Sequence, residues 1–421
     1  MTDIALASAR DEALDPARRR ARRTLATGVA LGSTGHIAAV TVATIVAKDL
    51  LGSDALAGLP GATVVLGAAT GSVLLSALMA QRGRRPGLVA GYGIGVVGAL
   101  IASLAVITRS FPLLLLGTTL IGFGNAANQL SRYAAADMVP PERRASAIGI
   151  VVWGATVGSV LGPSLVPIAT GMAIGIGLPG LVGPYLVPVL FVGAAGLLSF
   201  AVLRPDPYEL ADMTPDDQAA ADAEDADPML AILRRPAILT ALVALVVGQI
   251  TMTLIMTMTP LHMTEHGHDL GAVGLVLSGH TLGMYAFSPL SGWLTDHVGR
   301  LQTIFLGAAV LAVSATMAAV APPEGGLILP VAMFLLGLGW SFGYVGGSAM
   351  LSDHLELHER TRVQGVADAM IWSAAAAASL GSGLIVAAAG YAALGVLGLG
   401  LVAVAVVVLT RNRAAVALTT R

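Results

Sequence analysis

Four polar side chains fall within one otherwise apolar stretch: Asn125, Asn128, Gln129 and Arg132. Their i, i+3, i+4, i+7 spacing puts all four on a single helix face. Such amides and a guanidinium can bind a solute by hydrogen bonds, or can tie one helix to the next. His36, Gln249, His280 and Asp368 are further polar groups set into apolar runs. Polar groups at membrane depth are costly, which makes each a functional candidate. Imidazole titrates near neutral pH, so His36 and His280 are candidates for carrying a proton, with Asp368 the candidate intramembrane acid. The competing readings are structural: a neutral, hydrogen-bonded imidazole for each histidine, and for Asp368 an anion near the cytoplasmic surface. Trp340 and Tyr344 share a helix face by i, i+4 spacing, as packing or as a solute-stacking surface. Met252, Met256, Met258, His262, Met263, His266 and His268 form a thioether- and imidazole-rich stretch. Those groups suit a soft transition metal, or simply a histidine-rich loop.

These residues must be held by elements that a bilayer accepts. The chain is 421 residues long, 56% hydrophobic and 11% charged, against about a quarter charged in soluble domains. A spanning helix needs about 20 mostly apolar residues. Twelve stretches qualify: 25–47, 57–80, 87–108, 112–136, 146–170, 184–203, 237–259, 271–294, 302–321, 326–351, 363–389 and 392–410. The expected fold is an all-α integral membrane protein of twelve transmembrane helices. Residues 1–24 form an N-terminal tail, 25–203 a first six-helix bundle and 204–236 an acidic, flexible linker. Residues 237–410 form a second bundle and 411–421 a C-terminal tail. The stretch Met229 to Arg235, apolar then basic, is expected along the membrane surface. With the N-terminus inside, 21 of the 23 Lys and Arg residues fall on inside segments, and only Lys48 and Arg109 outside. This asymmetry follows the positive-inside rule and places both termini in the cytoplasm. The arginine block at 18–23 precedes a full-length span and does not resemble a cleaved signal.

Composition also excludes activities. The chain has no cysteine, which removes disulfides and thiolate metal sites. Its sole lysine, Lys48, lacks the glycine frame of a phosphate-binding P-loop, so no nucleotide is expected. A net charge of −2 offers no basic field for nucleic acid. No cofactor, no resident metal and no catalytic constellation is evident, so no enzyme activity is expected.

The halves repeat. Gly83, Arg84, Asp137, Arg144 and Gly149 recur as Gly299, Arg300, Asp353, Arg360 and Gly365, all at a shift of 216. Parallel repeats of this kind build transporters.

Between the eighth and ninth spans stand Gly292, Asp296, Gly299 and Arg300, a glycine, an aspartate four positions later, then Gly-Arg. With the repeat, this resembles the signature loop of the major facilitator superfamily, over nearly the whole chain. Its glycine permits close helix approach, and its aspartate can sit at the positive end of a neighbouring helix. Arg300 and Asp353 could complete a cytoplasmic charge cluster that forms in one state and breaks in another. The first-half loop keeps Gly83 and Arg84 but has Ala80 in place of the acid, so its charge cluster is either weaker or uses another acid, Asp137 or Asp368. Gly154, Gly158, Gly162 and Pro163 in the fifth span are similar to the glycine–proline signature of drug/proton antiporters, or form a small-residue packing face. Thr118 stands where such members often carry an arginine before Gly122 and Gly124, so a mechanism centred on that arginine is not carried over.

The resemblance implies that the first, fourth, seventh and tenth spans line a central cavity. A pocket of His36, Asn125, Asn128, Gln129, Gln249, Trp340 and Tyr344 would suit an amphipathic solute. It further implies alternating access, with protons as coupling partner and export of small amphipathic or drug-like compounds. The expected setting is a bacterial inner (plasma) membrane, with the chain acting as a monomer. An importer of the same fold, a transition-metal exporter, and a receptor or enzyme without transport are the competing expectations.

Overall fold

A computed structural model describes residues 2–52, 56–211, 228–322 and 325–419, and every regular element among them is helical. The first bundle comprises α1 (Thr2–Leu51), α2 (Leu59–Arg82), α3 (Arg84–Ile107), α4 (Phe111–Asp137), α5 (Arg144–Gly175) and α6 (Gly183–Val202). The second comprises α7 (Pro236–Glu265), α8 in two pieces (Leu270–Thr281 and Ser288–Val298), α9 (Arg300–Val320), α10 (Ile328–Asp353), α11 (Leu357–Ala389) and α12 (Ala392–Thr419). Ten of these are long and apolar enough to span a bilayer by length and composition alone. The other two are α4, diluted by its amides and Arg132, and α8, interrupted by a π-helical turn over Leu282–Ala286. The polar groups that dilute α4 line the interior cavity described below, and the π-helical turn of α8 adds Tyr285 to it. Large apolar side chains such as Leu66, Leu190, Leu275 and Leu384 point outward, as a lipid-facing surface requires.

Three local differences from expectation have physical causes. The tail expected at 1–24 is continuous with the first span, because its Ala, Arg, Leu and Glu residues are strong helix formers. The acids Asp212, Asp216, Asp217, Asp222, Glu224, Asp225 and Asp227 lie outside the described residues, but the start of the linker is docked rather than solvated. Asp206 accepts from the backbone N–H groups of Arg84 (3.1 Å) and Arg85 (2.9 Å), and caps Tyr208 (2.9 Å). Tyr208 and Leu210 are buried. At the linker's other end, Met229–Leu233 is a short helix and Arg235 donates twice to Glu359 at 2.8 Å, which fixes this segment to α11.

The turns α2–α3 and α8–α9 match each other. Gly83 (φ +94°) and Gly299 (φ +118°) both adopt a backbone conformation that glycine alone takes freely. Each turn delivers an arginine, Arg84 or Arg300, to the same end of its bundle. That end also carries Arg144 and Arg360, and is called the arginine-rich side below.

Candidate functional site

The contact between α1 and α5 sets the position of the cavity wall. A β-carbon at Gly154 would lie 2.4 Å from the Ala26 carbonyl oxygen, at Gly158 2.4 Å from Ser33 Cβ, and at Gly162 2.9 Å from Ile37 Cβ. The glycines of the antiporter-like motif are therefore where two helix backbones meet, and α5 stays helical through Pro163. This contact places Ser33 and His36 on the interior side. A cavity of about 180 Å³ lies between the bundles, lined by Ser33, His36, Asn125, Asn128, Gln129 and Arg132 from the first. Tyr285, Tyr344 and Trp372 line it from the second. Asn128 donates to Ser33 Oγ at 2.8 Å and accepts from the Tyr92 hydroxyl at 3.2 Å, which fixes its amide. The buried Nδ1 of His36, a residue of the cavity wall, has no hydrogen-bond partner.

One ion pair closes this cavity. Arg132 on α4 reaches Asp368 on α11 through Nη2 at 2.5 Å and Nη1 at 3.2 Å, with side chains 1% and 2% exposed. The guanidinium also donates to the Gln129 carbonyl (2.7 Å), Ser348 Oγ (3.2 Å) and the Tyr133 hydroxyl (3.0 Å). It lies over the rings of Tyr133 and Tyr344, 4.2 and 4.4 Å from their centroids. A charge so deeply buried is tolerable only when paired and hydrogen-bonded on all sides. The pair joins the two bundles, as does the bond from the Tyr344 hydroxyl to Gln129 Oε1 at 2.9 Å.

The sequence-derived pocket is thus partly assembled. His36, Asn125, Asn128, Gln129 and Tyr344 line the cavity. Gln249 and Trp340 are not among its lining residues. Trp340 Nε1 donates to Gln249 Oε1 at 2.9 Å, and Trp340 stacks on Tyr344 with ring centroids 4.3 Å apart, so the two support the aromatic wall from behind. His280 sits apart from the cavity, with Nδ1 2.9 Å from the Met333 carbonyl on α10. Among the described residues no three His, Asp or Glu side chains group to hold a metal ion, and His262 stacks on Tyr391 at 4.2 Å instead. Ser33, Tyr285, Gln364 and Trp372 were not anticipated. Gln364, Asp368 and Trp372 share one face of α11 at i, i+4 and i+8, a pattern visible in the sequence.

On the arginine-rich side the repeated residues form two crossed clusters. Asp296 accepts from the backbone N–H groups of Ala145 (3.2 Å) and Ser146 (2.8 Å), at the first turn of α5. Arg300 bridges Asp296 (3.1 Å) and Asp353 (2.8 Å), and also donates to the Pro141 carbonyl. Arg144, from the first bundle, completes this cluster on Asp353 at 2.7 Å. The pseudo-symmetric cluster has Arg84 on Asp137 at 2.6 Å, with Arg360 of the second bundle 4.0 Å away. Of the two acids considered for the first half, Asp137 holds Arg84 and Asp368 holds Arg132. Where Ala80 leaves no carboxylate, Arg84 donates to Gln364 of α11 at 2.6 Å, and the Tyr208 hydroxyl bonds Thr361. Burial pushes the Tyr208 phenol above its ordinary pKa. Beneath these clusters Gly292 meets Ala145, Gly149 meets Ser288 and Gly365 meets Ser76, all at distances that exclude a β-carbon. Every bundle-to-bundle contact named here lies in the arginine-rich half, so the two bundles are sealed together on that side.

The sequence model of the Major Facilitator Superfamily matches residues 24–270 and 241–419. The chain belongs to the Major Facilitator Superfamily. It is therefore a membrane transporter, not an enzyme. This superfamily member is 39% identical over 390 residues to the uncharacterized MFS-type transporter YdeG of Bacillus subtilis, covering 91% of this chain and 90% of that one. It is 30% identical over 371 residues to the riboflavin transporter RfnT of Brucella anthropi, covering 86% and 88%. Its fold matches the crystal structure of the human organic anion transporter MFSD10 with TM-score 0.74 at 17% identity, over 93% of this chain and 99% of that one.

Proposed function

We propose that this transporter exports small amphipathic organic compounds in exchange for protons entering the cell. In this reading the arginine-rich side faces the cytoplasm, both termini lie there, and a single chain suffices because one chain holds the whole cavity. The observation that carries the reading is the buried Arg132–Asp368 pair, which closes the cavity and joins the bundles. A proton arriving from outside neutralises Asp368 and releases Arg132 to Ser348, the Gln129 carbonyl and the Tyr133 and Tyr344 rings. One cross-bundle tie is thereby lost, and the arginine-rich side can open. On the cytoplasmic side the proton leaves and a solute enters, to be carried outward as the pair re-forms. A flat, aromatic wall of Tyr344, Tyr285 and Trp372 facing amides and His36 suits a planar solute with several hydrogen-bonding groups. The helix 5 glycine motif supports export.

A growth-inhibition panel on cells lacking and overproducing the protein tests this. Overproduction raises tolerance to planar amphipathic compounds and lowers their cellular content; unchanged tolerance across the panel contradicts export. A second reading is transport of a flavin, favoured by the likeness to RfnT. Labelled riboflavin uptake in the same cells separates the two by the direction of its accumulation.

A further inference from the structure

We infer that the arginines of α1 at 19, 20 and 23, with the facing C-terminal part of α6, form a binding site for the phosphate of an anionic phospholipid. A groove of about 420 Å³ runs between these helices, lined by Arg19, Arg20, Arg23, Thr24, Thr27 and Leu198. It is separate from the central cavity and from both charge clusters. Its three arginines recur at i, i+1 and i+4 on α1, and all three are exposed. Arg23 donates no hydrogen bond among the described residues, and Arg20 spends one N–H group on the Arg204 carbonyl, leaving the rest of its fork for another acceptor. Guanidinium groups bind phosphate oxygens by paired, charge-assisted hydrogen bonds.

The groove changes character along its length, and this selects a lipid over a soluble phosphate. Arg23 is followed one turn later by Thr27 and, across the groove, by Leu198. One helical turn is about 5.4 Å, so a headgroup held by the arginines puts its acyl chains directly on apolar surface. Leu197 and Phe200 extend that surface, being 70% and 51% exposed. Arg85 and Arg204 both lie over the Phe200 ring, at 5.0 and 5.4 Å, which sets the level where charge gives way to hydrocarbon. Basic pockets beside transmembrane helices on the cytoplasmic face are suited to anionic headgroups. The site rests on insertion in a bilayer with the arginine-rich side cytoplasmic, as proposed above, and not on the direction or coupling of transport.

The test uses the full chain in phosphatidylcholine nanodiscs, with a fluorescent phosphatidylglycerol as probe and lipid exchange read by energy transfer. Wild type is expected to retain phosphatidylglycerol over phosphatidylcholine, and Arg23→Gln to weaken that retention about fivefold. Arg19→Gln together with Arg23→Gln weakens it further, while the equal charge change Arg411→Gln with Arg413→Gln on α12 leaves it unaltered. Arg23→Gln removes no internal hydrogen bond, and a matched thermal transition confirms that each variant is folded. Equal retention of both lipids by wild type overturns the site, as does equal loss in the α12 variant. Displacement of the probe by inorganic phosphate as effectively as by phosphatidylglycerol assigns the groove to a soluble anion and overturns the lipid.

Discussion

Replacing Asp368 with asparagine keeps the shape of the side chain but removes the charge that neutralises Arg132. Both side chains are almost wholly buried, so solvent screening does not reduce the effect. Removing one member of a buried pair costs about 3–5 kcal/mol, because the other charge is left uncompensated. Arg132 lies on the first bundle and Asp368 on the second, so this loss falls on the state in which the bundles are sealed on the arginine-rich side. At about 1.4 kcal/mol per tenfold, the balance between sealed and open states moves by a factor of about 10² to 4 × 10³. The chain has no cysteine, so a single cysteine at Ala155, in the cavity wall, reports access without background. A membrane-impermeant maleimide is applied to everted vesicles, whose outer face is the arginine-rich side in the proposed orientation. Asp368→Asn should accelerate labelling at least tenfold, and adding Arg132→Gln should reverse most of that gain. Unchanged labelling in Asp368→Asn, or additive effects in the double variant, refutes a conformational role for the pair.

Other outcomes follow from the same geometry. Arg144→Gln removes a 2.7 Å contact to Asp353, whereas Arg360→Gln removes only a 4.0 Å approach to Asp137; the first should therefore impair transport more, measured as initial rate in vesicles. Asp296→Asn weakens acceptance from two N–H groups at the start of α5, for a loss of about 0.5–2 kcal/mol in the sealed state, read as faster labelling of the Ala155 position. Gly158→Val must displace Ser33 on α1 and should lower stability by about 1–3 kcal/mol. Gly171→Ala meets nothing within 4 Å and should be neutral or stabilising, so thermal unfolding in detergent separates the two. Tyr344→Phe loses the bond to Gln129, worth about 0.5–1.5 kcal/mol, and should raise the half-saturating solute concentration by up to about tenfold.

The spans and the repeat were legible because hydropathy and spacing are one-dimensional signals. A shift of 216 carries Arg84, Asp137 and Arg144 onto Arg300, Asp353 and Arg360, and the folded chain pairs Arg84 with Asp137 and Arg300 with Asp353, one pair in each bundle. The crossing of those sets was not legible: Arg144 serves the second bundle's Asp353, which depends on how the bundles face each other. The same holds for Asp368, whose partner lies 236 positions away and whose alternative was Arg84. Gln249 and Trp340 were placed in the pocket because they sit on the seventh and tenth spans, yet the choice of span does not say whether two polar groups face a cavity or each other. His280 shows the same ambiguity, resolved by a backbone carbonyl on α10. The Tyr208 and Gln364 contacts compensate for Ala80, and no residue-type pattern marks a tyrosine or glutamine for that task.

The most direct measurement records solute flux and proton flux together in proteoliposomes of the purified chain. With the lumen made acidic, protons should leave as solute accumulates inside, reversal of the gradient should reverse the solute, and Asp368→Asn should abolish both. Solute movement in the same direction as protons, or indifferent to the gradient, contradicts exchange.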